Sequence, residues 1–370
     1  MTAEHFVGGM VWVQILVLLA AIVFAIFDGV FALAGQRRNF LTRRRLGITS
    51  IVALGLVPFA LPWLLATSYA TSINATEVLV SQYLKGNLSM SASEVTSILS
   101  LKTNWVDQIT RLDGWAAQMI AAVFVSTFVA RSAYLGLNIL RIRRAISAGH
   151  ILRQSRRVRI VVSPAVSVPF STRGLWRYYV VLPTGFLGES DAMQMSIGHE
   201  MQHIRQGDVD AEVAVSLASP FLVLNPGYWF LTTRLRKLGE LACDRAYLRR
   251  RQFDPHGYSM RLLAVARRSR TAHAQPAAFG VPLVGRALPF LGRRSMLKDR
   301  ILEIAADQAD PRGDTRLLAL GLSALMVGAV LAAATAIAQP KDWSHDRIML
   351  STVANLERLN QLNTLAQRSW

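Results

Sequence analysis

A chain of 370 residues that is 52% hydrophobic, with positive mean hydropathy, is too apolar for a soluble protein of its length, so membrane spans are expected. Its net charge of +18 comes mainly from Arg gathered at the ends of apolar runs, not from a stripe interleaved with aromatics. That pattern fits positive-inside anchoring and argues against direct nucleic-acid binding. The single cysteine, Cys243, excludes an intrachain disulfide.

The first apolar run, Met10 to Gly35, exceeds the ~20 residues that cross a bilayer. It ends in Arg37, Arg38, Arg43, Arg44 and Arg45, which puts its exit in the cytoplasm and the N-terminus outside. The run is too long for a cleavable signal peptide and no basic residue precedes it. A second run, Gly47 to Ala70, carries Pro58 and Pro62 and predicts a kinked span returning outside. Residues 73–113 are polar and read as an external loop. The third run, Trp115 to Leu140, ends in Arg141, Arg143 and Arg144 and leads back inside. The fourth, Leu317 to Ala338, follows Arg312 and Arg316 and takes the chain out again. The expected organisation is three transmembrane helices in 1–140 with external loop 73–113, a cytoplasmic domain in 141–316, a fourth helix in 317–338 and an external tail in 339–370.

Two ionisable residues fall inside spans, Asp28 and Arg131, and either pair across the bundle or snorkel separately to the headgroups. In the cytoplasmic segment, Arg159 to Ser163 and Tyr178 to Leu182 are Val- and Tyr-rich and predict strands, whose edge would let an extended peptide add by main-chain hydrogen bonds. A helix follows in SDAMQMSIGHEMQHIRQGD, with Ser190 or Asp191 as N-cap and Gly207 just past its end. The uncharged stretch Val213 to Thr233 is interrupted by Pro220, Asn225, Pro226 and Gly227 and reads as a buried or membrane-dipping hairpin. In the tail, Ile348, Val353, Leu356, Leu359 and Leu362 recur at near-helical spacing, so an amphipathic helix is expected there, lying on the membrane or covering the external loop.

Within the helix ending at Gly207 the order HExxH sets His199 and His203 four residues apart, on one face, with Glu200 beside them. Two imidazoles converging on one cation, a carboxylate able to take a proton from metal-bound water and an open fourth position are the needs of a zinc hydrolase. Downstream, RLRKLGELACDRAYLRR places Glu240 and Asp244 on a common face. Glu240 is the expected third ligand, and Asp244 is expected to accept the ring N–H of a ligand His. Asp208 would brace the site in the same way or satisfy backbone at the helix end. Cys243 reads as a small packing residue, with zinc ligation the minor alternative. His150, His256 and His273 lie among basic loops and are taken as surface residues. Satisfied core histidines are the bland alternative to a metal site.

These residues, with the motifs HEMQHIRQGD, ELACD, NPGYW, YYVVLP and MLKDRIL, resemble the integral-membrane zinc peptidases of the beta-lactam-sensing receptor family. The resemblance implies a mainly α membrane protein: four transmembrane helices with a cytoplasmic α+β, gluzincin-like zinc peptidase domain between helices three and four. It implies Zn²⁺ held by His199, His203 and Glu240, with Glu200 catalytic. It also implies a multi-pass protein of the bacterial inner membrane that cleaves itself and a cytoplasmic helix-turn-helix repressor. Membrane lipids and a peptide or protein substrate are the expected partners, with no direct nucleic acid and a homodimer left open. The sequence ends at Trp370 without an SxxK in its tail, so beta-lactam sensing by acylation is not expected to transfer. Two other readings stand beside this one: a housekeeping quality-control protease, and a non-catalytic zinc scaffold, which would have no need of Glu200.

Overall fold

A computed structural model describes residues 3–33, 38–65, 75–251, 254–271, 293–306, 316–337 and 345–368. The described residues are mostly helical with one small mixed sheet. It divides into two units: Met1–Phe27, Thr49–Phe124 and Arg316–Trp370 form one, Asp28–Ile48 and Val125–Thr315 the other.

The first unit draws on helices α1 (Ala3–Phe31), α2 (Phe40–Leu65), α3 (Ala75–Leu84), α4 (Ala92–Arg111), the start of α5 (Gly114–Ser147), α11 (Arg316–Ile337) and α12 (His345–Arg368). Leu16 and Ala20 of α1, Ala53 and Val57 of α2, and Val330 and Ala334 of α11 bury one another. Small residues at that contact let helix backbones approach, as packing in lipid requires. Two described helices are long and apolar enough to cross a membrane, Val7–Phe31 with 25 residues and Gly114–Ser147 with 34, and Leu320–Thr335 is a shorter apolar helix. None of the apolar window of α5 is buried by protein, which suits a lipid-facing helix.

The polar segment expected as an external loop contains two helices, α3 and α4. Ser91 caps α4 in a capping box with Glu94, which explains why a Ser-rich stretch becomes helical here. The tail helix α12 covers them with part of the expected stripe: Val353, joined by Leu350 and Ala354, packs on Val80, Ala92 and Val95. Ile348, Leu356 and Leu359 are exposed, and the side chain of Leu362 lies outside the described residues. A polar group settles the choice, because Glu357 on the packed side accepts the backbone N–H of Ala92 at 3.1 Å.

The second unit is built on a four-stranded sheet of β1 (His150–Gln154), β2 (Val158–Ser163), β3 (Phe170–Arg173) and β4 (Tyr178–Pro183), in the order β1-β2-β4-β3. Only the β2–β4 pair is parallel. Strand periodicity of two sends Val162, Val180 and Leu182 to one face, where Met193, Ile197, Met201 and Ile204 of α6 (Ser190–Gln206) cover them. Phe170 and Val181 point to the other face and meet Ile142, Ala145 and Ile146 at the end of α5. The sheet is thus held between the end of a membrane-type helix and the helix that carries HExxH.

Helix α6 begins after Glu189, not with Ser190 or Asp191 as N-cap, and no side chain caps it; Gly207 ends it in the left-handed conformation, as expected. The stretch 213–233 is a helical hairpin of α7 (Asp208–Leu222) and α8 (Pro226–Arg251). Asn225 stops the first and starts the second, its Oδ1 accepting from the backbone N–H of Gly227 at 2.8 Å and Tyr228 at 3.3 Å, with Pro226 in the first turn. Arg236 of α8 forks onto Glu212 of α7 at 2.7 and 3.1 Å and closes the hairpin. The unit is completed by α9 (Pro255–Thr271) and α10 (Arg293–Ala305). His150 is exposed in β1 and His256 at the start of α9, while His273 lies outside the described residues.

Asp28 and Arg131 do not pair. Asp28 accepts from Arg43 at 2.6 Å and from Arg234 at 2.9 Å, whereas Arg131 donates to Ser219 at 3.2 Å and lies over the Tyr134 ring. Of the arginines expected only as cytoplasmic anchors, Arg43 and Arg44 are buried ion-pair partners. A basic cluster beside a span reads the same in sequence whether it faces headgroups or a folded domain.

Gly198, next to His199, lets α8 approach α6. A Cβ there would stand 2.4 Å from a ring carbon of buried Tyr247. Gly198→Ala gains roughly 1 kcal/mol of helix propensity and loses about 1–3 kcal/mol to overpacking. The clash should win, so thermal unfolding of the purified variant is expected at a lower temperature than wild type; a higher one would show that Tyr247 gives way.

Candidate metal centre

The two histidines of α6 point toward α8, and their Nε2 atoms lie 3.1 Å apart. Glu240 of α8 faces both, with Oε2 at 3.6 Å from His199 Nε2 and Oε1 at 3.6 Å from His203 Nε2. Donors held about 2.0–2.1 Å from a shared tetrahedral centre stand about 3.3–3.4 Å apart. The three groups therefore have the spacing of ligands around one small cation.

The outer ring nitrogens are fixed by acceptors. His203 Nδ1 lies 2.8 Å from Asp208 Oδ2. His199 Nδ1 lies 3.1 Å from the Tyr258 hydroxyl, which donates to Asp244 Oδ1 at 2.8 Å. A hydroxyl has one proton to give, so Tyr258 accepts from Nδ1–H of His199. Both imidazoles thus carry their outer proton and turn Nε2 inward. Asp208 stands where a brace was expected. Asp244 reaches His199 mainly through Tyr258, its own oxygen being 3.5 Å from Nδ1.

Arg300 of α10 ties the far side together. It forks onto Asp244 through Nε and a terminal nitrogen, both at 2.7 Å, and its other terminal nitrogen lies 2.8 Å from Glu240 Oε2. Arg44 of α2 does the same for Asp208, pairing with it and donating to the Gln206 carbonyl at 3.1 and 3.2 Å. Burial disfavours charge on Glu240, but Arg300 and His203 outweigh it and hold the carboxyl well below the usual range. Burial likewise opposes charge on His199, yet Cys243 and Glu240 raise its pKa to about 10, and His203 is raised by Cys243, Glu240 and Asp208. Such a field favours positive charge between the rings, which a dication supplies.

Cys243 is more than a packing residue. Its buried sulfur sits 3.7 Å from His199 Nδ1 and 3.5 Å from the His199 carbonyl, and it forms with the two histidines a group that could hold a metal. It approaches the ring on the Nδ1 side, however, whereas Glu240 is on the side where the two Nε2 atoms converge. Glu200 is buried and faces β3, its Oε2 accepting from Ser171 Oγ at 2.7 Å.

A sequence model of the family described as BlaR1 peptidase M56 matches residues 11–297. The protein belongs to that family. A comparison with curated proteins found no match. The M56 peptidases are membrane-associated metallopeptidases, so the His199–His203 centre lies in a chain whose family works with a metal.

Four side chains of this M56 peptidase's centre escaped sequence reasoning: Ser171, Tyr258, Arg300 and Arg44. Arg300 sits in MLKDRIL and Arg44 in the arginine run that reads as a cytoplasmic anchor; Ser171 and Tyr258 are ordinary residues at no telling spacing. Arg300→Met should loosen Glu240 and Asp244 together and lower metal affinity by about 10- to 100-fold, the usual cost of losing support behind a ligand. Competition with a chromophoric chelator measures it. Unchanged affinity would mean that α10 only packs against the centre.

Proposed function

We propose that the protein is a zinc metalloendopeptidase in which His199, His203 and Glu240 hold the metal and Glu200 is the general base. The observation that carries this reading is Glu240 presenting one oxygen to each of the two converging Nε2 atoms. Two nitrogens and an oxygen are the donor set of catalytic zinc, which keeps its fourth position for water, rather than of a closed structural site. When bound, zinc lowers the pKa of its water from about 15.7 to about 7 and polarises the scissile carbonyl.

The chain's own groups do the rest. Glu200 takes the proton of the attacking water and returns it to the leaving nitrogen as the peptide bond breaks. Ser171 holds one of its oxygens by hydrogen bond and so fixes the carboxylate. Because Ser171 lies on β3, an edge strand of the sheet, a substrate adding beside that edge would run past the base in extended form. Main-chain pairing of that kind selects conformation more than sequence.

Four spans with both termini outside, and the peptidase segment in the cytoplasm, are the topology we propose; the arginines flanking the apolar runs support it. The substrates proposed are the chain itself and a cytoplasmic helix-turn-helix repressor, so that cleavage passes a signal inward. Family membership and the inward-facing arginine clusters support this assignment.

Glu200→Ala should retain metal and lose about 10²- to 10⁴-fold in cleavage rate, as removal of a general base does. Glu240→Ala should lose metal, whereas Cys243→Ala should keep it. Metal content and cleavage measured on the same purified proteins decide the matter. Wild-type cleavage by Glu200→Ala would refute the mechanism, and full metal in Glu240→Ala would move the third ligand elsewhere.

A further inference from the structure

At one end of the sheet, chemistry gathers that the peptidase reading does not use. Strand directions bring the β1–β2 turn and the β3–β4 turn to the same end, and the Tyr178 N–H donates to the Arg157 carbonyl at 2.9 Å between them. The β3–β4 turn is a two-residue tip, closed by the Gly174 N–H on the Arg177 carbonyl at 2.8 Å. A Cβ at Gly174 would meet the Tyr179 ring at 2.9 Å, so the turn is drawn tight against the strand. What it holds out is apolar: Leu175 and Trp176 are each 91% exposed.

Single exposed apolar residues are ordinary, but a Trp and a Leu side by side at a closed tip are costly in water. Their surroundings are basic. Arg153, Arg156, Arg157 and Arg173 are exposed around them and Arg177 is half-buried at the base of the tip. Among the described residues, the acid found there is Asp210, which is taken up by Arg173 and the Tyr178 hydroxyl. The same sheet packs on Ile142, Ala145 and Ile146, which follow the apolar run of α5 directly. At 1.5 Å per residue the sheet therefore lies within roughly two helical turns of that run's end.

We propose that the Leu175–Trp176 tip and its arginines dock on the anionic surface of the membrane that α5 crosses. Indole favours the headgroup level, the Leu side chain the acyl boundary, and guanidinium groups anionic lipid. The tip is a few residues along β3 from Ser171, which touches Glu200. Docking would hold the edge strand and catalytic base close to the bilayer and favour peptides presented near it. This surface is separate from the metal chemistry and does not depend on the zinc reading.

The test uses full-length protein in nanodiscs, with Trp176→Cys carrying an environment-sensitive fluorophore; the native Cys243 is buried. One set of discs contains phosphatidylcholine and phosphatidylglycerol, the other phosphatidylcholine alone, each doped with lipid bearing a nitroxide near the headgroup. The apolar helices hold the protein in the disc whatever the tip does, so the probe reports the tip alone. Expected is quenching by the nitroxide lipid in phosphatidylglycerol discs, reduced in neutral discs and reduced again when Arg156→Glu and Arg157→Glu are added. A probe that stays in water in both sets would overturn the proposal and leave a protein partner for the tip. Equal quenching in both sets would overturn the choice of anionic lipid. Metal content serves as an internal check, and a loss of metal with normal quenching would concern the peptidase reading only.

Discussion

The centre depends on one contact, the packing of α6 against α8. Neither helix holds a complete site: α6 brings two imidazoles and a base, α8 brings a carboxylate. Their distance is set by Gly198, where Tyr247 fits against bare backbone, and by the sheet, whose Val162, Val180 and Leu182 fix the opposite face of α6. Helical geometry then converts packing into chemistry, because the rotation that buries Met193, Ile197, Met201 and Ile204 turns His199 and His203 toward Glu240.

Charge compensation is the second constraint. Holding part-buried Asp208 and Glu240 and buried Asp244 around two imidazoles is tolerable only with cations in hydrogen-bond contact, and Arg44 and Arg300 supply them from elements far away in the chain. Arg300 belongs to the helix that precedes the last apolar segment, and Arg44 to the start of α2, just after the first. Both ion pairs thus tie the metal centre to segments next to membrane-type helices.

Much of this was legible in the sequence, for local reasons. HExxH, the ExxxD face of α8, the Gly207 stop and the Pro/Asn break at 225–226 act over one or two helical turns, and the structure places them as that logic requires. What stayed hidden is tertiary. Arg43 and Arg44 look like anchors because a run of arginines carries no sign of which of them a folded domain will bury. Asp28 and Arg131 lie at similar distances from the ends of their apolar runs, yet position in a run does not choose partners, and Arg234 lies more than 200 residues from Asp28. In α12 the packed face keeps Val353 of the expected stripe but takes Leu350 in place of Ile348, Leu356 and Leu359, and the same face delivers Glu357 to the start of α4. Cys243 looked inert since helical spacing gives its angle from Glu240 and not its distance from the His199 ring.

The central claim is that Glu240, not Cys243, completes the centre with His199 and His203. X-ray absorption at the zinc edge on the metal-loaded, full-length protein tests it most directly, because sulfur and light-atom ligands scatter differently and at different distances. The account predicts a first shell of nitrogen and oxygen only, at about 2.0–2.1 Å. A sulfur shell at about 2.3 Å would contradict it and make Cys243 a ligand.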